Sequence, residues 1–164
     1  MGKKSWCSAP NRAMQLRHST HTGYSYETMF VPYFAGAKSI EIEDPYIRLS
    51  HQTQYFVRFC EAVVKFSRIK RIDLITGYED EIQKQDIEQK LSDLKQSLLE
   101  LDIVFNFDFN SNLHDREIRL DNGWVIKIGR GLGFYQKPQN WNEIGSSDLS
   151  LRKCLETKED IFKL

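Results

Sequence analysis

His114, Arg116 and Asp121 stand at the spacing His-x-Arg-x4-Asp, and Asn122-Gly123 follows at once. A second short run, Trp124-Val125-Ile126-Lys127-Ile128, leads into Gly129-Arg130-Gly131. Asn-Gly between two alternating runs favours a two-residue hairpin turn with positive φ at both central positions, and such a turn sets the register. If Asp121 pairs with Trp124, Ile118 faces Lys127 and Arg116 faces Gly129. Side chains two apart share a face, so His114, Arg116 and Lys127 are expected to project together. Gly129 would leave room for a small anion to approach the backbone. Arg130, flanked by two glycines, adds a guanidinium suited to bidentate phosphate binding. The chemistry this pattern suggests is capture of a phosphate.

Turnover asks for more. A histidine that attacks phosphorus needs a second group to protonate the leaving oxygen, and none is identifiable. His51 is the only other histidine beyond residue 21, and it opens a helical stretch. Asp121 is expected to shape the turn. The same residues resemble the motif of the phospholipase D superfamily, His-x-Lys-x4-Asp followed by a Gly-Ser pair. In that family the histidine attacks phosphorus and the lysine holds the phosphate. Here Arg116 replaces the lysine, the downstream pair is Gly129-Arg130 one residue late, and one copy is present where active enzymes bring two together.

A closer resemblance runs through most of residues 22 to 162. Tyr24-Ser25-Tyr26-Glu27-Thr28, Glu43-Asp44-Pro45-Tyr46-Ile47-Arg48, His114-Asp115-Arg116 and the stretch from Asn122 to Leu132 are similar to the C-terminal phospholipase-D-like domain of MIT-domain proteins. That resemblance implies a homodimer that binds acidic phospholipids, phosphoinositides among them, during cytokinesis. Its eukaryotic members carry an N-terminal MIT helix bundle that binds ESCRT-III tails, which residues 1 to 23 do not resemble. His21-Thr22-Gly23-Tyr24-Ser25 and Asp44-Pro45-Tyr46-Ile47-Arg48 are also similar to the C-terminal domain of prokaryotic Lon-like phage-defence proteins. An interaction domain of such a system is the first alternative, and a residual phosphodiesterase acting as a dimer is the second.

Composition narrows the partners. Lys plus Arg and Asp plus Glu number 23 each, so no global basic field marks a nucleic-acid binder and any anion site must be local. Cys7, Cys60 and Cys154 are odd in number and fit no zinc spacing, which suggests reduced thiols in the cytoplasm, with no metal or cofactor expected. No stretch reaches the roughly 18 apolar residues of a membrane span. Residues 1–23 carry Lys3, Lys4, Arg12 and Arg17 with no acid before Glu27, and are expected to form a mobile basic leader ahead of one domain over 24–164.

The elements that must position these residues follow from periodicity. Tyr26, Met29, Phe30, Tyr33, Phe34 and Ala37 recur at helical spacing behind a Ser25 cap, with Pro32 interrupting the run. Residues 39–43 alternate as a strand that Asp44-Pro45 ends. A doubled stripe over 50–66 predicts a broadly buried helix, 71–76 a strand, and the seam Ile87, Leu91, Leu94, Leu98 and Leu101 a surface helix behind an acidic turn. Residues 103–109 alternate as a further strand before the hairpin. Beyond Tyr135 a long loop is expected, pinned by Trp141 as a packing anchor. The segment 148–164 is expected to pair through Leu149 and Leu151 and close with a short helix near Lys158. Strands interleaved with helices indicate an α/β fold, a phospholipase-D-like mixed sheet flanked by helices.

Ligands gather beyond the carboxyl ends of parallel strands, so Arg48 joins the candidate set. The expected anion site is therefore His114, Arg116, Lys127, Arg130 and Arg48, with His114 catalytic only if the domain is active. Its expected partner is an acidic phospholipid surface.

Overall fold

The computed structural model describes residues 12–17 and 21–164. Its seven strands are β1 (Arg12–Arg17), β2 (Ser39–Glu43), β3 (Arg71–Thr76), β4 (Val104–Phe109), β5 (Glu117–Leu120), β6 (Trp124–Ile128) and β7 (Thr157–Lys163). They form one sheet in the order β1-β7-β6-β5-β2-β3-β4. β2, β3 and β4 run parallel, and every other pairing is antiparallel. The chain is thus an α/β fold on a mixed sheet.

Apolar alternation decides which side of this sheet is covered. Ile40, Ile42, Ile72, Leu74, Phe105, Ile118, Ile126 and Ile161 point to one side and are all but sealed from solvent. Against them lie α2 (Ser50–Phe66), through Phe56, Phe59, Cys60 and Val63, and α3 (Glu81–Leu99), through Ile87, Leu91 and Leu98. A short α1 (Tyr26–Phe30) starts at Ser25, whose hydroxyl accepts from the Thr28 amide. Pro32 then tightens the chain into a 3₁₀ turn over Val31–Tyr33. Asp80 caps α3 by accepting from the Gln83 amide at 2.7 Å. The opposite face of the sheet holds charge instead, where Arg119 bridges Glu41, Glu43 and Glu117.

Three expectations need correction. Residues 12–17, assigned to a mobile leader, form edge strand β1 against β7. Residues 1–11 and 18–20, with Lys3 and Lys4, lie outside the described residues. The carboxyl-terminal segment contributes a 3₁₀ turn at Leu149–Leu151 and then an internal strand where a helix was expected. Trp141, expected as a buried packing anchor, is 62% exposed. Its loop is held by Arg152, a buried guanidinium that donates to the carbonyls of Gly145 and Ser146 and to the Tyr55 hydroxyl.

The hairpin register also differs by one residue. Glu117 pairs with Lys127, Ile118 with Ile126 and Arg119 with Val125. The loop therefore has three residues, 121–123, closed by the Gly123 amide donating to the Leu120 carbonyl at 3.0 Å. Only Gly123, at φ +102°, takes positive φ within it. This is a turn completed by a left-handed glycine, the common three-residue hairpin. Asn122 docks the tip by donating from its side-chain amide to the Tyr33 and Ala35 carbonyls at 2.8 and 3.0 Å. A Cβ on Gly123 would also stand 3.0 Å from the Leu164 carbonyl oxygen. Gly123→Val should consequently lose about 1–3 kcal/mol of stability in urea unfolding, and an unchanged midpoint would contradict this turn.

Candidate functional site

Where β2 ends, the Asp44 amide donates to the Ile75 carbonyl at 3.0 Å and its side chain turns inward. Asp44 is 6% exposed, and its carboxylate accepts from the Tyr46 amide at 2.9 Å. Gly131, at φ +67°, lies so close that a Cβ there would collide with Asp44 Oδ2 and stand 3.1 Å from Arg116 Cδ. Any larger residue would displace the acid or the arginine. A glycine is thus required where the chain leaves β6 and crosses β2.

Arg116 occupies the other side of this contact. Its Cζ lies 4.4 Å from the centre of the Tyr46 ring, its Nη1 donates to the Gly129 carbonyl, and its Nε stands 4.0 Å from Asp44 Oδ1. That Nε is buried with no acceptor of its own. Burial pushes the Asp44 carboxyl above the ordinary aspartate range, against amide hydrogen bonds from Tyr46 and Leu132 and the charges of Arg116 and Arg48, which pull it down. The guanidinium is held in place while its Nη2 retains donor capacity.

Two depressions meet at Arg116. The first is an open groove of about 370 Å³ lined by His114, Asp115, Glu117, Lys127, Lys158 and Asp160. The second is a deeper cleft of about 720 Å³ between the start of α2 and the loop after β6. It is lined by Arg116, Arg130, Lys137, His51, Tyr46, Tyr55, Tyr135 and Trp141, among others. Arg130 is steadied by its Nε donating to the Glu156 carbonyl at 2.6 Å. Ser50, His51 and Gln52 bring the amino end of α2 into the same wall. The N-cap position is Leu49, which has no polar side chain, and Gln52 reaches back to the amides of Arg48 and Leu49 at 3.1 and 2.9 Å. An uncapped helix start of this length favours anions through its free amides and dipole.

The expected residues are therefore only partly united. Arg116 and Arg130 share the cleft, and Arg116, His114 and Lys127 line the groove. Lys127 reaches that groove from the other face of the hairpin rather than from the face of Arg116. The shifted register pairs it with Glu117, whose Oε1 lies 3.9 Å from Lys127 Nζ. Arg48 turns elsewhere, its Nε donating to the Pro45 carbonyl at 2.7 Å and its Nη1 lying 3.4 Å from Glu79 Oε1. Asp121 sits at the far end of β5, about 16 Å along the strand from Arg116, and accepts from the Lys38 amide at 2.8 Å. Lys137 and Tyr55 are missed by sequence reasoning because nothing near them in the chain forms a motif, and Tyr46, although it lies within Glu43-Asp44-Pro45-Tyr46-Ile47-Arg48, carries no charge to mark it as an anion ligand. Among the described residues, no group of three or more His, Cys, Asp or Glu is arranged to hold a metal.

The chain belongs to the family described as the phospholipase D-like domain at the C-terminus of MIT, which it matches over residues 23–163. It is 43% identical to mouse MIT domain-containing protein 1 over 143 residues, covering 86% of this chain and 57% of that protein. The chain accordingly spans little more than half the length of this relative.

Asp44 yields a prediction about pH. A carboxyl whose pKa is raised on folding binds its proton more tightly in the folded chain. Its contribution to stability is thus largest in acid and falls as pH rises from the ordinary aspartate range through the raised folded value. Asp44→Asn should remove that decline, so its unfolding free energy relative to the parent should climb through this window and level off above it. Denaturant unfolding from about pH 3 to pH 8 measures this, and a difference independent of pH would contradict it.

Proposed function

We propose that this chain is a non-catalytic phospholipase-D-like module that binds acidic phospholipid headgroups at a membrane surface. The observation that carries the reading is the convergence of Arg116, Arg130, Lys137 and the uncapped start of α2 on one cleft. The formal net charge is zero, so the attraction is local and should act within about 10 Å of the surface at moderate salt. Basic residues near an anionic bilayer contribute about 1 kcal/mol each. Homodimerisation is carried over from the family resemblance, and cytoplasmic residence from the odd number and spacing of the cysteines. No helix among the described residues is long and apolar enough to cross a membrane, which suits association from one side.

Hydrolysis is poorly supported by the same geometry. His114 is exposed in the groove, His51 lines the separate cleft, and Asp121 is engaged with the Lys38 amide. Among the described residues, no pair of these groups is positioned to attack phosphorus and protonate a leaving oxygen together.

Two measurements follow. Arg130→Glu combined with Lys137→Glu removes about 2 kcal/mol of attraction and adds repulsion, so pelleting with phosphatidylserine vesicles should be lost. Binding of the unaltered chain should weaken as salt rises to about 0.5 M. Equal pelleting of both proteins would overturn the reading. Against a chromogenic phosphodiester the chain should show no multiple turnover. Turnover that disappears in a folded His114→Ala protein would make it an enzyme.

A further inference from the structure

The loop over 136–147 exposes two large apolar side chains, Trp141 at 62% and Ile144 at 83%. It is a built turn. The Gln139 amide donates to Glu143 Oε1 at 2.8 Å, the Asn142 amide to Asn140 Oδ1 at 2.9 Å, and the Ser146 amide to the Glu143 carbonyl at 3.2 Å. The Arg152 guanidinium fixes its far end from below. An ordered tip that holds Trp and Ile in water leaves apolar area that a second phase could cover.

The position of the tip says which phase. Trp141 lines the cationic cleft, and Ile144 lines a neighbouring depression that shares Lys137 and Pro138 with it. Lys137 and Glu143 are the only charged residues between 136 and 147, and the Glu143 carboxylate is engaged with the Gln139 amide. Tryptophan favours the boundary between headgroups and acyl chains, where its ring is buried and its N–H stays hydrated. Apolar contact beside basic charge is the combination that holds proteins on anionic bilayers.

We propose that the Trp141–Ile144 tip is an interfacial anchor that enters the headgroup layer of an anionic bilayer and turns the mouth of the Arg116–Arg130–Lys137 cleft toward the membrane. The inference rests on the headgroup-binding reading and adds the orientation of the domain and an apolar share of its affinity.

Vesicles of phosphatidylserine and phosphatidylcholine, with bromine placed high on the acyl chains, provide the test. In the unaltered chain Trp emission should shift to the blue and be quenched on binding, and Trp141→Ala should remove most of both changes. Trp141→Ala with Ile144→Ser should weaken vesicle binding about tenfold or more, while the residual binding stays salt-sensitive. Both side chains are exposed, so the thermal midpoint should match the parent and confirm folding. Vesicle binding with no quenching of Trp141 and no loss in the double variant would overturn the anchor and leave the headgroup reading standing. Failure of the unaltered chain to bind would overturn both. A double variant that changes oligomeric state in sedimentation and leaves vesicle binding intact would instead make the tip a contact between copies of the chain, and the anchor would be wrong.

Discussion

The contact between Arg116, Asp44 and Gly131 joins the two halves of this molecule. Asp44 ends the first parallel strand, Arg116 begins the hairpin, and Gly131 is the first turn beyond it. The three meet with no room for a Cβ on the glycine. Removing a buried acid from water is costly, and the nearby guanidinium and two backbone amides offset only part of that cost. What the arrangement secures is position. Set over the Tyr46 ring and bonded to the Gly129 carbonyl, Arg116 is held in one orientation by more contacts than a surface arginine makes. An arginine ordered in advance loses less entropy when it binds an anion.

From this fixed point the charge distribution can be understood. The uncovered face of the sheet neutralises its own cations, with Arg119 set among three glutamates, Lys127 beside Glu117 and Arg71 beside Asp73. Exposed pairs of this kind contribute little to stability, yet they withdraw those cations from any ligand. In the cleft, Arg130 is held by a carbonyl rather than a carboxylate and therefore keeps its field. A protein of zero formal net charge can in this way gather Arg116, Arg130 and Lys137 on one cavity against a single buried acid, Asp44.

Much of the scaffold was legible along the chain. The expected bounds of β2, α2 and β3 match because alternation, a doubled apolar stripe and Asp44-Pro45 each act within a few residues. The hairpin was legible but its register was not, since Asn-Gly can form a two-residue turn or, as here, close a three-residue loop. That one-residue difference is what moved Lys127 to the other face. Strand β7 was hidden because its sequence, Thr157 to Lys163, is dominated by charge, and its Glu159 is buried within the sheet. Of the site, Arg116 and Arg130 could be found from the motif. Tyr46 and His51, from the junction of β2 and α2, and Lys137, from the loop after β6, are far from the motif in sequence, so only tertiary structure brings them to the cleft.

The central claim is that an anion binds in the cleft and not in the groove where the motif histidine lies. Backbone amide chemical shifts recorded by NMR during titration with a soluble phosphorylated headgroup test it most directly. Saturable shifts are expected at His51, Gln52, Arg116, Gly131 and Lys137. Shifts confined to His114, Lys127 and Lys158, or none at all, would contradict it.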